Sequence, residues 1–284
     1  MKNLRNMGTL LRAARNGHTA LGAFECWESL NIQAIARAAA ECGSPVIFQA
    51  SAAEYRTIGG ADALADIVTF FVRKYDIDAA LHLDHGASLD EVEECLKAGF
   101  SSVMLDASTL PFDENAAHSA EAARMAHACG ASCEAELGHV GSGANGGDGG
   151  GGESSLTVPA EAEEFVARTK VDCLAVSVGT VHGEYRGTPA LRFDRLSEIA
   201  ARVDLPLVLH GGSGTPPDQL RRAIGLGIAK INICTDINKA FLAGIEEAKS
   251  RLTPSVPGNF YRPALEAVVR KTAEMIRLFR GDDR

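Results

Sequence analysis

The sequence predicts an α/β protein folded as a single (β/α)8 TIM barrel, and three observations carry that expectation. Eight short apolar runs alternate with longer stretches of helical periodicity, the pattern of βα units around a parallel sheet. The chain has 284 residues, 46% of them hydrophobic, and barrels of this kind typically take about 250. Chemistry-bearing side chains follow the runs at their C-terminal tips, and in a barrel those tips meet at one mouth.

The runs, in order, are TALGAF (19–24), PVIFQA (45–50), AALHLD (79–84), SVMLD (102–106), SCEAEL (132–137), CLAVSV (173–178), PLVLH (206–210) and AKINI (229–233). Helix punctuation separates them. Ser88 with Glu91 reads as a capping box ahead of Val92, Cys95 and Leu96, and Gly99 as the stop. Pro216 and Pro217 suit a helix start, with Gly225 or Gly227 at its end. The glycine-rich stretch at 138–155 does not divide the chain, because a boundary there would split eight regular units into five and three. It is expected to be a mobile active-site loop within one domain spanning 1–284.

The tips carry Glu25, Ser51, Asp84 with His85, Asp106, Glu134 with Glu136, His182, His210, and Asn232 with Thr235 and Asp236. Three of them offer histidine, each followed by glycine: LDHG at His85, VHGEY at His182 and LHGGSG at His210. A catalytic zinc takes three protein ligands and keeps one open position, which three neutral imidazoles supply. A lone histidine usually has only a structural role, and His18, His118, His127 and His139 are read that way. A second constellation, HGGSGTPPDQL, places Gly211, Gly212, Ser213 and Gly214 ahead of the proline-started helix. Backbone N–H groups at a helix start hold anions, and barrels commonly bind phosphate at the loops after the seventh and eighth strands. Arg186 and Arg262 are candidates for a second anionic group.

Composition excludes other classes. A net charge of −9 opposes nucleic-acid binding, which needs a basic stripe. No stretch approaches the roughly 18 apolar residues of a membrane span, and the N-terminus has no signal-peptide run. Seven scattered cysteines without a CxxC pair suit a reducing cytoplasm.

These pieces are similar to a known family. SPVIFQAS, ALHLDHG, AGFSSVMLD, CEAELGHVG, VGTVHGEY, LPLVLHGGSG and KINICTDIN occur in family order, with FYRPALEAV near the end. The chain resembles the class II fructose- and tagatose-bisphosphate aldolases over nearly its whole length. The resemblance implies zinc-dependent, reversible cleavage of a phosphorylated ketose to dihydroxyacetone phosphate and an aldehyde. It makes His85, His182 and His210 the zinc ligands, Asp84 the base at the C4 hydroxyl, and Glu136 and Asp106 carboxylates near the metal. It places Gly183, Gly211, Ser213, Asn232 and Thr235 at phosphate- and substrate-binding positions, and Ser51 and Arg262 at the far end of the substrate. Arg186 falls where the family often has a basic residue. A monovalent cation (Na+ or K+) beside the phosphate and a homodimeric or homotetrameric assembly are also implied.

The chain departs from the family at two points. The loop reads HVGSGANGGDGGGGE and lacks the usual glutamate that protonates C3, which leaves Asp148 or Glu25 as the donor, with Glu153 also bordering the loop. Glu25 stands where the family commonly has asparagine. Two other readings remain: another zinc enzyme on this barrel, such as an epimerase or hydrolase, and a non-catalytic sugar-phosphate-binding or partner subunit. Retention of Asp84 and all three histidines opposes the latter.

Overall fold

The computed structural model describes residues 4–141, 155–185, 187–249, 256 and 258–282. Its eight parallel strands close in sequence order, β1 through β8, with β8 pairing back to β1. They are β1 (Leu21–Glu25), β2 (Val46–Ala50), β3 (Ala79–Gly86), β4 (Ser102–Leu105), β5 (Ser132–Leu137), β6 (Cys173–Val176), β7 (Leu207–Leu209) and β8 (Ile228–Ile233). Each falls on its expected run. The runs are apolar because a parallel barrel strand is buried on both faces, by the helices outside and by opposing strands inside.

Eleven helices are described: α1 (Met7–Asn16), α2 (Ser29–Cys42), α3 (Ala52–Ile58), α4 (Ala61–Tyr75), α5 (Leu89–Lys97), α6 (Phe112–Ala128), α7 (Pro159–Thr169), α8 (Phe193–Arg202), α9 (Pro217–Gly225), α10 (Thr235–Lys249) and α11 (Gly258–Arg280). The Ser88 cap holds, its Oγ accepting the Glu91 N–H, but the box does not close. The Glu91 carboxylate accepts from the Ala87 N–H instead.

Two apolar cores result. The larger lies between the sheet and the outer helices. The smaller fills the lower half of the barrel interior, where Ala23, Ile47, Ala80, Cys173, Ala175, Val208 and Ala229 meet Met7, Leu11 and Ala14 of α1. Helix α1 therefore stoppers the N-terminal end of the barrel. Its sequence allows this because Asn6 caps it, accepting the Thr9 N–H at 3.1 Å, and because Met7, Leu11 and Ala14 share one face. Met7 and Leu11 are wholly buried, and such side chains stabilise a fold by roughly 1.5–3 kcal/mol apiece.

The upper half of the interior is polar, and a bulge in β3 shapes it. From Leu83 to Gly86 that strand advances three residues while β4 advances two, from Val103 to Leu105. The extra residue lets both Asp84 and His85 serve the mouth, where regular alternation would turn one of them away. His85 adopts the left-handed conformation, φ 46°, which costs a non-glycine residue roughly 1–2 kcal/mol. Gly86 lies so close to β4 that a Cβ would sit 2.5 Å from the Met104 carbonyl oxygen. A Gly86→Ala protein is accordingly expected to lose about 1–3 kcal/mol of stability, read as a lower denaturant midpoint at unchanged slope. A midpoint equal to wild type would show that the bulge absorbs the methyl group.

Candidate active site

The three strand-tip histidines converge. His85 sits in the β3 bulge, His210 directly follows β7, and His182 lies in the loop after β6, tethered by its N–H to the Gly141 carbonyl at 2.8 Å. Their ring centroids are 4.7–5.6 Å apart, and one ring nitrogen of each lies within 4.8 Å of the others. Nε2 of His85, Nε2 of His182 and Nδ1 of His210 are buried with no hydrogen-bond partner. Buried polar atoms rarely stay unpaired without a reason. Three unpaired imidazole nitrogens facing one point fit a single cation.

The opposite ring nitrogens are anchored. Asp106 Oδ2 meets His85 Nδ1 at 2.6 Å, and Glu134 Oε1 meets His210 Nε2 at 2.8 Å. Carboxylates behind imidazoles fix the ring orientation and tautomer that a metal ligand needs. Asp106 also belongs, with His85 and Glu136, to a second group of side chains whose ligand atoms lie within 4.8 Å of one another. Its second oxygen accepts the Ser108 N–H, so both oxygens are committed to protein donors. Glu136 differs: Oε1 accepts the Val140 N–H, but Oε2 has no partner and lies 3.1 Å from His210 Nδ1. It can reach the same cation.

Electrostatics follow from these pairings. Burial disfavours the charged form of every histidine, yet Asp84 and Asp106 hold the metal-free His85 up at about 9. Glu134 and Glu136 likewise hold His210 at about 10. His182 has no such anchor, and burial with its imidazole neighbours pushes it down to about 4.

Beneath this cluster runs a buried hydrogen-bond network. The Asp84 carboxylate accepts from Gln49 Nε2 at 3.1 Å and from Asn232 Nδ2 at 3.1 Å. Asn232 Oδ1 in turn accepts from Lys230 Nζ at 2.7 Å, and Lys230 pairs with Glu134 Oε2 at 3.0 Å. Burial works against ionised Asp84, but the surrounding His85, Lys230, His210 and His82 hold its pKa below the ordinary carboxylate value and keep it ionised. Glu25 is the reverse case. Burial, Asp84 and Glu54 raise its pKa well above the carboxylate range. His82, expected on the same strand face as Asp84, bonds Ser102 Oγ at 2.8 Å and is driven to about 3 by burial and Lys230.

A cavity of about 250 Å³ opens above Asp84, lined by Glu25, Gln49, Ser51, Glu54, His182, Gly183, Gly211, Ser213, Asn232, Cys234 and Thr235. It adjoins a second of about 230 Å³ that shares Gly183, Ser213 and Thr235. Thr235 begins α10 and Ser213 Oγ accepts the Asp236 N–H at 3.2 Å, so the positive end of the α10 dipole lies at these residues and suits an anion. The helix differs from the one expected: α9, begun by Pro217, lines neither cavity, although Gly211, Ser213 and Gly214 of the loop before it do, and Pro216 and Pro217 carry no N–H that could bind an anion. Gly211, at φ 65°, comes so near the β6 loop that a Cβ would lie 2.2 Å from the Val181 carbonyl oxygen. Gly212 is corrected as well. Its N–H donates to the Asn232 carbonyl at 3.1 Å, so the residue locks β7 to β8 and leaves no donor for phosphate.

Of the far-end residues, Ser51 lines the cavity, but Arg262 is exposed on α11 and does not. Asp148, Glu153 and Arg186 lie outside the described residues, as does most of the 138–155 loop. Gln49, Glu54 and Lys230 were not anticipated, and Glu134 was noted without a role. For Gln49, Glu134 and Lys230 the signal was available, since a charged or amide side chain inside a run buried on both faces has to find a partner there; Glu54, in α3, gave none.

Fold and mouth together define a barrel enzyme with a candidate metal centre. Residues 5–284 match the family described as class-II fructose-bisphosphate aldolase, and the chain belongs to that family. It is 39% identical over 282 residues to the fructose-bisphosphate aldolase of Geobacillus stearothermophilus, covering 98% of this chain and 97% of that one. It is 38% identical to the D-tagatose-1,6-bisphosphate aldolase subunit GatY of Klebsiella oxytoca, covering 92% and 93%. The crystal structure of the YdjI aldolase from Escherichia coli K12 superposes with a TM-score of 0.85 at 31% identity, covering 98% and 97%. This chain is a class II aldolase, a carbon–carbon lyase acting on a phosphorylated sugar.

Proposed function

We propose that the protein cleaves a phosphorylated ketose reversibly to dihydroxyacetone phosphate and an aldehyde, with one zinc ion held by His85, His182 and His210. The observation that carries this reading is the trio of buried, unpaired imidazole nitrogens beside Asp84. A zinc ion bound there supplies Lewis-acid polarisation of the ketone oxygen. The chain's own residues do the rest. Thr235, Ser213, Gly183 and Gly211 seat the phosphate at the start of α10, which sets the sugar across the mouth with C4 over Asp84. Asp84, held by Gln49 and Asn232 with lone pairs to spare, takes the C4 hydroxyl proton. C4 becomes the aldehyde carbonyl as the C3–C4 pair passes to C3. An acid must then return a proton to C3, and the candidates are Asp148 and Glu25, the latter kept protonated by burial and Asp84. Exchange of the dihydroxyacetone phosphate hydrogen with solvent deuterium isolates that step. Slow exchange in Glu25→Gln assigns it to Glu25, slow exchange in Asp148→Ala to the loop.

The overall test is release of dihydroxyacetone phosphate from a panel of phosphorylated ketoses, with zinc counted per chain. No release from any of them by zinc-loaded protein would overturn the reading. The carboxylate behind His85 gives a further expected result: Asp106→Asn weakens zinc binding by roughly 10–100-fold, measured by competition with a chelator. Unchanged affinity would remove Asp106 from that role.

The proposal extends to a monovalent cation, Na+ or K+, beside the phosphate, and to a homodimer or homotetramer, supported by the exposed apolar surface of Phe70 and Leu242. A cytoplasmic setting fits the seven free cysteines, and no helix among the described residues is long and apolar enough to cross a membrane.

A further inference from the structure

The mouth is polarised along its length. Its phosphate end lies where Gly183, Ser213 and Thr235 are shared by two cavities, at the positive end of the α10 dipole. In the other direction the cavity runs past Glu25, Glu54 and Cys234 into a hollow of about 360 Å³, completed by Trp27, Asn238, Phe241 and Leu242. Neither lining contains a lysine or arginine among the described residues. Ser51, at this far end, commits its donors within the chain: its N–H reaches Glu54 Oε2 at 3.0 Å, and its hydroxyl is hydrogen-bonded to the same carboxylate. Glu25, 5% exposed, lines both spaces, and its Oε1 is buried without a partner while Oε2 accepts from Gln49 at 3.0 Å. An unpaired buried oxygen is an acceptor that a ligand hydroxyl would satisfy. Trp27 and Phe241 meet edge to face at 6.0 Å and form an apolar wall of the kind that packs against the C–H face of a sugar chain.

We infer that the aldehyde half of the substrate is an uncharged polyhydroxylated chain with no terminal phosphate, so that the protein acts on a ketose 1-phosphate in preference to a 1,6-bisphosphate. This rests on the aldol reading above. A second phosphate at this end would face the Glu54 carboxylate with no lysine or arginine among the described lining residues to receive it, and like charges set face to face discriminate strongly against a ligand. Hydroxyl groups would donate to Glu54 and to the unpaired Oε1 of Glu25.

The test uses the zinc-loaded enzyme in the condensation direction. Solvent exchange of dihydroxyacetone phosphate alone reports the aldol reading without involving an aldehyde. Condensation with glyceraldehyde against glyceraldehyde 3-phosphate reports the specificity. Exchange should proceed, and kcat/KM should favour glyceraldehyde by at least about tenfold. Glu54→Gln should narrow that ratio severalfold by removing the opposing charge. Equal or better use of the phosphorylated aldehyde overturns the inference, as does absence of condensation with glyceraldehyde while exchange continues. A ratio unchanged in Glu54→Gln overturns the charge argument on which it stands. Failure of exchange itself sinks the aldol reading and this inference with it.

Discussion

A His210→Ala protein is expected to lose zinc and, with it, cleavage by at least about 10³-fold, since metal-ion catalysis supplies several kcal/mol and each 1.4 kcal/mol is tenfold. The barrel should nevertheless remain folded. His210 is wholly buried, but the carboxylate it leaves behind, Glu134, keeps Lys230 at 3.0 Å and is not stranded. The lower core sealed by α1 contains none of the histidines. Three measurements together check this: metal content, far-ultraviolet circular dichroism, and dihydroxyacetone phosphate release. Full activity in a variant shown to be metal-free would remove the histidine cluster from the mechanism. Chelation of the wild-type protein should reproduce the activity loss, with the fold intact.

The second large effect is expected at Asp84. Asp84→Ala should keep zinc and bind dihydroxyacetone phosphate, because neither the imidazole nitrogens nor the start of α10 depends on it. Cleavage should fall by roughly 10²- to 10⁴-fold, the usual worth of a positioned base. The deletion leaves two amides, those of Gln49 and Asn232, without their acceptor, so a modest loss of stability should accompany it. Isothermal titration separates retained binding from lost turnover. Wild-type turnover in this variant would transfer the proton to another group.

The eight strands were legible because burial on both faces writes itself as apolar runs such as AALHLD and SCEAEL, and the tips of those runs held His85, His182, His210 and Asp84. Resemblance then supplied roles that residue type alone could not. What stayed hidden depended on three-dimensional partners. Lys230 shares a strand face with Asn232 two residues on, but its pairing with Glu134 across the barrel could be seen only in three dimensions. Asp106 reads by position as a carboxylate near the metal, but its contact with His85 Nδ1 at 2.6 Å appears only in three dimensions. Gly212 and Gly211 are indistinguishable as letters, and which amide is already bonded depends on a β8 carbonyl far along the chain. Arg262 lies in a matching segment, yet the layer its helix occupies cannot be read locally. Helix α1 could have been found from the helical spacing of Met7, Leu11 and Ala14 behind Asn6.

The division of the barrel interior, hydrocarbon below and ionisable groups above, has a consequence for how such an enzyme can diversify. Cohesion is concentrated in Met7, Leu11, Ile47, Ala80, Val208 and their neighbours, remote from any substrate. A lineage can therefore try new side chains at the rim, at positions such as 25 or 54, while the lower half goes on holding the molecule together. Rim changes meet selection mainly through which sugar they admit, and only weakly through whether the chain still folds. An ancestor's scaffold can thus pass unchanged to descendants with different diets.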